Sequence, residues 1–191
     1  MNYEILVNKN NLLDSTYVPE HLIEVHAPTG EKLDPNYINR IDIVAYQYFL
    51  EMQKKALQFG YEIFIDSSYR SYDYQQKLFS DLVLKKGYEY AKKYCAIPGS
   101  SEHQTGLAID VILRRNGNMI ENFTDDEPEI VWLIHNSYIY GYILRYPKNK
   151  ESITGYNYEP WHYRFCGLDL AKFLYNNDET MEEYYTRKRK K

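Results

Sequence analysis

Apolar and polar positions divide this chain into segments with two different periods. Ile38, Ile41, Ala45, Tyr48, Met52 and Leu57 recur near helical spacing. Asp34 is an N-cap candidate followed by Pro35 at the first helical position, and Gly60 offers a stop, so one long amphipathic helix is expected over residues 34–60. Residues 61–66 alternate in the β manner and predict a strand. The strand runs into Ser67-Ser68-Tyr69-Arg70-Ser71, where Ser71 caps a second helix with Asp73 in its first turn and Gly87 at its end. Residues 88–94 read as a short helix, and Pro98-Gly99 breaks the chain. A strand over 107–113 follows, with Leu107, Ile109 and Val111 on one side and Ala108 and Asp110 on the other. Arg115-Asn116-Gly117-Asn118 reads as a hairpin or loop.

The same two periods alternate as far as the C-terminus. A helix is expected from about Asp126 to Tyr140, stopped by Gly141, then a strand over 142–146 and a loop over 147–155. Trp161, Tyr163 and Phe165 then alternate with His162 and Arg164, which puts His162 on a strand face opposite three aromatics. One or two helices close the chain after Gly167, the last capped by Asp178 or Thr180. At the other end, Ile5-Leu6-Val7 and Leu22-Ile23-Glu24-Val25 read as short edge strands or an arm wrapped over the body. A length of 191 residues fits a single domain over 1–191, with an N-terminal arm at 1–33 and a helical tail at 168–191.

Composition narrows the function classes. The net charge of −4 argues against nucleic acid as a partner, and the basic run Arg187 to Lys191 reads as a solvated tail. No apolar run reaches the length of a membrane span, and the first residues lack the pattern of a signal peptide. With Met1 as the start, the expected location is the cytoplasm. Cys95 and Cys166 lie far apart and are expected to be reduced, structural thiols. The 22 tyrosines suit half-exposed grooves and core edges, with peptide or carbohydrate contact a secondary use.

One stretch asks for chemistry. Asp110 lies in an apolar strand, where a buried carboxylate without a partner is costly. A metal ion shared with His103 supplies the partner. His162 completes a loop-and-strand set of three ligands, the number a catalytic zinc takes while leaving a position for water. Glu159, three residues before His162, is the candidate base, aimed at the site by a bend at Pro160. His21, His26 and His135 have no ligand partner at useful spacing and are read as surface or packed residues. Arg70 stands at a strand-to-helix junction with Gln75 one turn on; an anion site and an ordinary salt bridge explain Arg70 equally well.

S-x-H-x-x-G-x-A-x-D (Ser101 to Asp110) together with E-P-W-H (Glu159 to His162) resembles the zinc D-alanyl-D-alanine carboxypeptidases of the VanY type. Their relatives include L,D-carboxypeptidases and the VanXY-type bifunctional D,D-dipeptidase/D,D-carboxypeptidases. SSYRSYDYQQKLF, YGYILRYP and ITGYNYEPWHYRF extend the likeness over about residues 61–167. The resemblance implies an α+β fold of the Hedgehog/DD-peptidase type, with helices around a small, mainly antiparallel sheet whose groove holds one zinc ion. It implies His103, Asp110 and His162 as zinc ligands and Glu159 as general base. It also implies Arg70, Gln75 and Ser101 as substrate contacts, with Arg70 at the terminal carboxylate. The expected substrate is a peptidoglycan stem peptide or precursor ending in D-Ala-D-Ala, and the expected enzyme is a monomer. An L,D-carboxypeptidase acting on tetrapeptides is the nearest rival. A catalytically silent zinc module is the second, disfavoured because such a module needs no base beside its metal.

Overall fold

The computed structural model describes residues 2–25 and 38–190. Strand β1 (Leu22–Glu24) pairs antiparallel with β2 (Arg40–Asp42), and helix α1 (Ile43–Leu57) follows without a break. The helix therefore begins later than its apolar spacing suggests. Ile41 is paired with Ile23 across the ribbon, and Asp42 is the cap, its Oδ1 accepting from the amides of Val44 and Ala45. The expected start at Asp34-Pro35, like His26, lies outside the described residues.

Along the five-stranded main sheet, β3 (Glu62–Ser67), β4 (Ala108–Arg115), β7 (His162–Phe165) and β6 (Tyr142–Leu144) follow in that order, all antiparallel. The far end of β4 turns at Asn116-Gly117 into β5 (Asn118–Ile120). Both turn residues have positive φ, as a tight two-residue hairpin requires. Alternation splits the sheet into two faces. Ile63, Ile65, Ile109, Val111, Leu113, Tyr163 and Phe165 face the core with Ala45, Phe49, Met52 and Ala56 of α1. Asp110, His162 and Arg164 point the other way.

That second face is covered in part. After β3 come α2 (Tyr72–Lys86), capped by Ser71, and α3 (Tyr88–Tyr94). Helix α4 (Pro128–Asn136) starts on Pro128 and ends in a 3-10 turn, Ser137–Tyr140, before Gly141. The expected loop over 147–155 contains a single helical turn, α5 (Glu151–Thr154). Helices α6 (Leu168–Asn177) and α7 (Met181–Arg189) bury Leu170, Ala171, Leu174 and Met181 against Ile143 and Cys166. Thr180 and Glu183 form a capping box at the start of α7. The basic run is not a loose tail throughout, because Arg187 pairs with Glu179 and lies over the ring of Phe173. Lys188 to Lys190 are exposed, and Lys191 lies outside the described residues.

Candidate active site

Pairing of β4 with β7 sets Asp110 directly opposite His162 on the polar face. His162 Nδ1 is 2.9 Å from Asp110 Oδ1. His103 arrives from a 3-10 turn, Glu102–Thr105, and its Nε2 lies 3.3 Å from Asp110 Oδ2. The turn closes on Gly106, whose φ of +69° is left-handed and whose amide donates to the His103 carbonyl. A Cβ there would lie 2.6 Å from Leu22 Cδ2. Gly106→Ala is accordingly expected to cost about 1–2 kcal/mol from backbone strain alone, measured as a lower midpoint of urea unfolding.

Backbone contacts fix which nitrogen of His103 is presented. Its Nδ1 is 2.6 Å from the Ser68 carbonyl, which only accepts, so Nδ1 carries the proton. The lone pair is then on Nε2, which is buried without a hydrogen-bond partner among the described residues. Arg70 N donates to the His103 carbonyl, tying the junction after β3 to the same turn. Burial, helped by the Arg70 charge and opposed by Asp110, pushes the His103 pKa down to about 4 and keeps the ring neutral. Burial also disfavours charge on His162, but hydrogen bonds to Asp110 and Glu102 outweigh it and raise its pKa to about 9. Asp110 is held well below the usual carboxylate range because its two histidine neighbours outweigh burial.

Among the described residues, His103, Asp110 and His162 are the group placed to share a metal ion, with ligand atoms within 4.8 Å of one another. The fit is good: two imidazoles, one carboxylate, and an orphaned lone pair turned toward the carboxylate. A larger groove of about 820 Å³ between the N-terminal arm and α7 has size without such a cluster.

Glu159 reaches the same place through a turn in which His162 N donates to the Glu159 carbonyl. That turn brings Glu159 Oε2 to 3.9 Å from His162 Nδ1 despite the mismatch of strand phase. Burial raises the Glu159 carboxyl to about 7, with His162 pulling in the opposite direction. Arg70, Gln75 and Ser101 join these four in one cleft of about 240 Å³, whose wall also includes Tyr94, Cys95, Glu102, Tyr146 and Trp161. Arg70 donates through Nη2 to Asp110 at 3.2 Å and through Nη1 to Gln75 Oε1. The salt-bridge reading of Arg70 thus holds, and its buried Nε is left unpartnered among the described residues. Gln75 donates its amide to the Ala96 carbonyl while its Oε1 accepts from Arg70. His21 is exposed, and His135 bonds Tyr175 OH away from the cleft.

The sequence profile of the VanY family, D-alanyl-D-alanine carboxypeptidase, matches residues 39–168. The chain belongs to the VanY family. Among curated relatives, it is 42% identical to a putative carboxypeptidase, YodJ, of Bacillus subtilis (strain 168), over 97% of this chain and 67% of that protein. It is 35% identical to VanXYC of Enterococcus gallinarum, a bifunctional D-Ala-D-Ala dipeptidase and carboxypeptidase, over 97% of this chain and 94% of the other. Among solved structures, the LdcB LD-carboxypeptidase superposes with a TM-score of 0.85 at 40% identity, covering 97% of this chain and 88% of that one. A glutamate-to-alanine variant of the VanY D,D-pentapeptidase in complex with Zn(II) gives 0.75 at 30% identity, covering 97% and 99%. VanYB in complex with D-alanine-D-alanine gives 0.75 at 30%, covering 96% and 97%. The small antiparallel sheet with flanking helices is the VanY-type fold.

Three residues of this VanY-family chain escape a reading by motif. Glu102, Arg145 and Arg164 are all fully buried, and Glu102 Oε1 accepts from both arginines at 2.8 Å. Their one signal in the sequence is position: Arg164 sits between Tyr163 and Phe165 on the face of His162, and Arg145 ends an apolar strand. The Tyr146 ring lies tilted beside His162, with ring centroids 4.9 Å apart. No helix among the described residues is long and apolar enough to cross a membrane.

Proposed function

We propose that this protein is a zinc carboxypeptidase that removes the C-terminal D-alanine from peptidoglycan stem peptides or precursors ending in D-Ala-D-Ala. The observation that carries the proposal is a guanidinium, Arg70, in one cleft with the His103–Asp110–His162 cluster and Glu159. His103, Asp110 and His162 would hold the ion. A bound zinc supplies Lewis acidity toward the scissile carbonyl and makes an attacking water more acidic. Glu159 takes the proton of that water and hands it to the leaving amine, and a carboxyl near neutrality suits both transfers. Arg70 receives the free carboxylate of the terminal residue in a charge-assisted pair, and Gln75 keeps the guanidinium aimed. Ser101, buried in the wall of the cleft, faces the peptide. Cys95 and Cys166 are free thiols, which suits a reducing compartment, the cytoplasm, and a soluble precursor as substrate.

Arg70→Ala is expected to raise KM for a free-carboxylate peptide and lower kcat/KM by about 10- to 100-fold, with zinc content kept. Wild-type enzyme should show a similar loss on a C-terminally amidated peptide, and the variant should not discriminate between the two. Equal kinetics for variant and wild type on the free acid would remove Arg70 from this role.

The similarity to the LdcB LD-carboxypeptidase, at 40% identity, favours a second reading in which the bond cleaved follows an L-residue. Mass spectrometry of products from a pentapeptide ending in D-Ala-D-Ala, a tetrapeptide ending in D-Ala, and free D-Ala-D-Ala separates the readings. Loss of one alanine from the pentapeptide, abolished by chelation and restored by zinc, is the expected result. Turnover of the tetrapeptide alone would replace it with the L,D-reading.

A further inference from the structure

Glu102 takes no part in the proton transfers above, yet its carboxylate is wholly buried behind His162. Two equally buried guanidinium groups, Arg145 and Arg164, bond it and compensate its charge. Oε1 is committed to the two arginines. Oε2 has no hydrogen bond among the described residues and faces His162 Nε2 at 3.6 Å, a nitrogen that is also buried without a hydrogen-bond partner there. Nδ1 is the nitrogen turned into the cluster, 2.9 Å from Asp110 Oδ1, so a metal shared with Asp110 would take that lone pair and leave the ring proton on Nε2, facing a carboxylate that only accepts. His103 is arranged in the opposite sense, with Nδ1–H on the Ser68 carbonyl and Nε2 toward Asp110. Two ligands of opposite tautomer therefore face one carboxylate.

We infer that Glu102 is a positioning residue of the metal centre, holding His162 as its Nε2–H tautomer so that Nδ1 faces the ion. This rests on the reading of His162 as a zinc ligand. Carboxylates behind metal-bound histidines set ring orientation and raise ligand basicity. The two arginines carry the brace to both ends of the chain. Arg145 bonds Glu182 of α7 at 3.0 and 2.7 Å, and Asn8 of the arm bonds the same carboxylate. Arg164 Nη2 donates to the carbonyls of Tyr3 and Ile5. Each arginine thus bonds Glu102 and, separately, one end of the chain.

The test is zinc affinity, by competition with a chromophoric chelator, and the visible spectrum of the cobalt(II)-substituted protein. Wild type, Glu102→Gln and Glu182→Gln are compared. Glu102→Gln should weaken zinc binding by about 10- to 100-fold and shift the cobalt bands. Glu182→Gln takes a carboxylate from the same Arg145 without touching His162; it should lower the unfolding midpoint and leave zinc affinity and the cobalt spectrum as they are. A folded Glu102→Gln with wild-type affinity and spectrum overturns the inference. If that variant does not fold, heteronuclear NMR of the histidine-labelled, zinc-loaded wild type decides. A proton on His162 Nε2 and on His103 Nδ1 supports the inference, and a proton on His162 Nδ1 overturns it. Absence of zinc binding by wild type would sink the zinc reading itself, an outcome distinct from zinc binding that ignores Glu102.

Discussion

Replacing Glu159 by glutamine is expected to lower kcat by about two to four orders of magnitude while the zinc content stays that of wild type. Glutamine keeps the size of the side chain and its place 3.9 Å from His162 Nδ1, but it cannot accept a proton and return it. KM should change little, because Glu159 gains its value only as charge moves during the reaction. Metal analysis beside steady-state kinetics makes the distinction. A variant that has lost its zinc would make Glu159 part of the metal site, and near-normal turnover would remove it as the base. The pH profile gives an independent sign. The carboxyl must be ionised to act, and burial raises it to about 7, so kcat/KM should rise with pH along an acid limb at or below that value. An acid limb well above neutrality would point to another group.

Arg164→Met is expected to destabilise the fold by about 3–5 kcal/mol, the usual cost of breaking a buried ion pair from one side. Methionine fills part of the volume and supplies none of the donors. Glu102 then keeps only Arg145, at a position with no exposed surface. The carbonyls of Tyr3 and Ile5, which accept from Arg164 Nη2, lose the donor that ties the arm to β7. Burial of an incompletely compensated charge dominates the loss, because a desolvated carboxylate costs far more than a missing neutral hydrogen bond. Urea unfolding followed by far-ultraviolet circular dichroism measures it. A loss under about 1 kcal/mol, the size of an exposed pair, would mean that Arg145 alone neutralises Glu102.

Both predictions concern the polar face of one sheet, and that face was only half legible in the sequence. Alternation alone put Ile109 and Val111 opposite Asp110, and Tyr163 and Phe165 opposite His162; the two cores and the polar face follow that pattern. Caps and stops at Ser71, Gly87, Thr180 and Gly141 acted where expected, since each works through its own backbone and needs no distant partner. The start of α1 was misplaced for the opposite reason. Ile41 fits a helical spacing as well as a strand, and only pairing with Ile23 from an element far off in the chain decided between them.

The sequence by itself determined the residue types of the site and the strands that would carry them, because periods and turn residues are local properties. It also placed Glu159 close enough in the chain to His162 for a single turn to join them. Only the tertiary structure set Asp110 opposite His162, turned His103 by its bond to the Ser68 carbonyl, and enclosed Glu102 between two arginines. The reason is physical. A register, a tautomer and a buried charge pair each depend on groups separated by tens of residues, and the desolvation that gives them their energy exists only once the chain has closed around them.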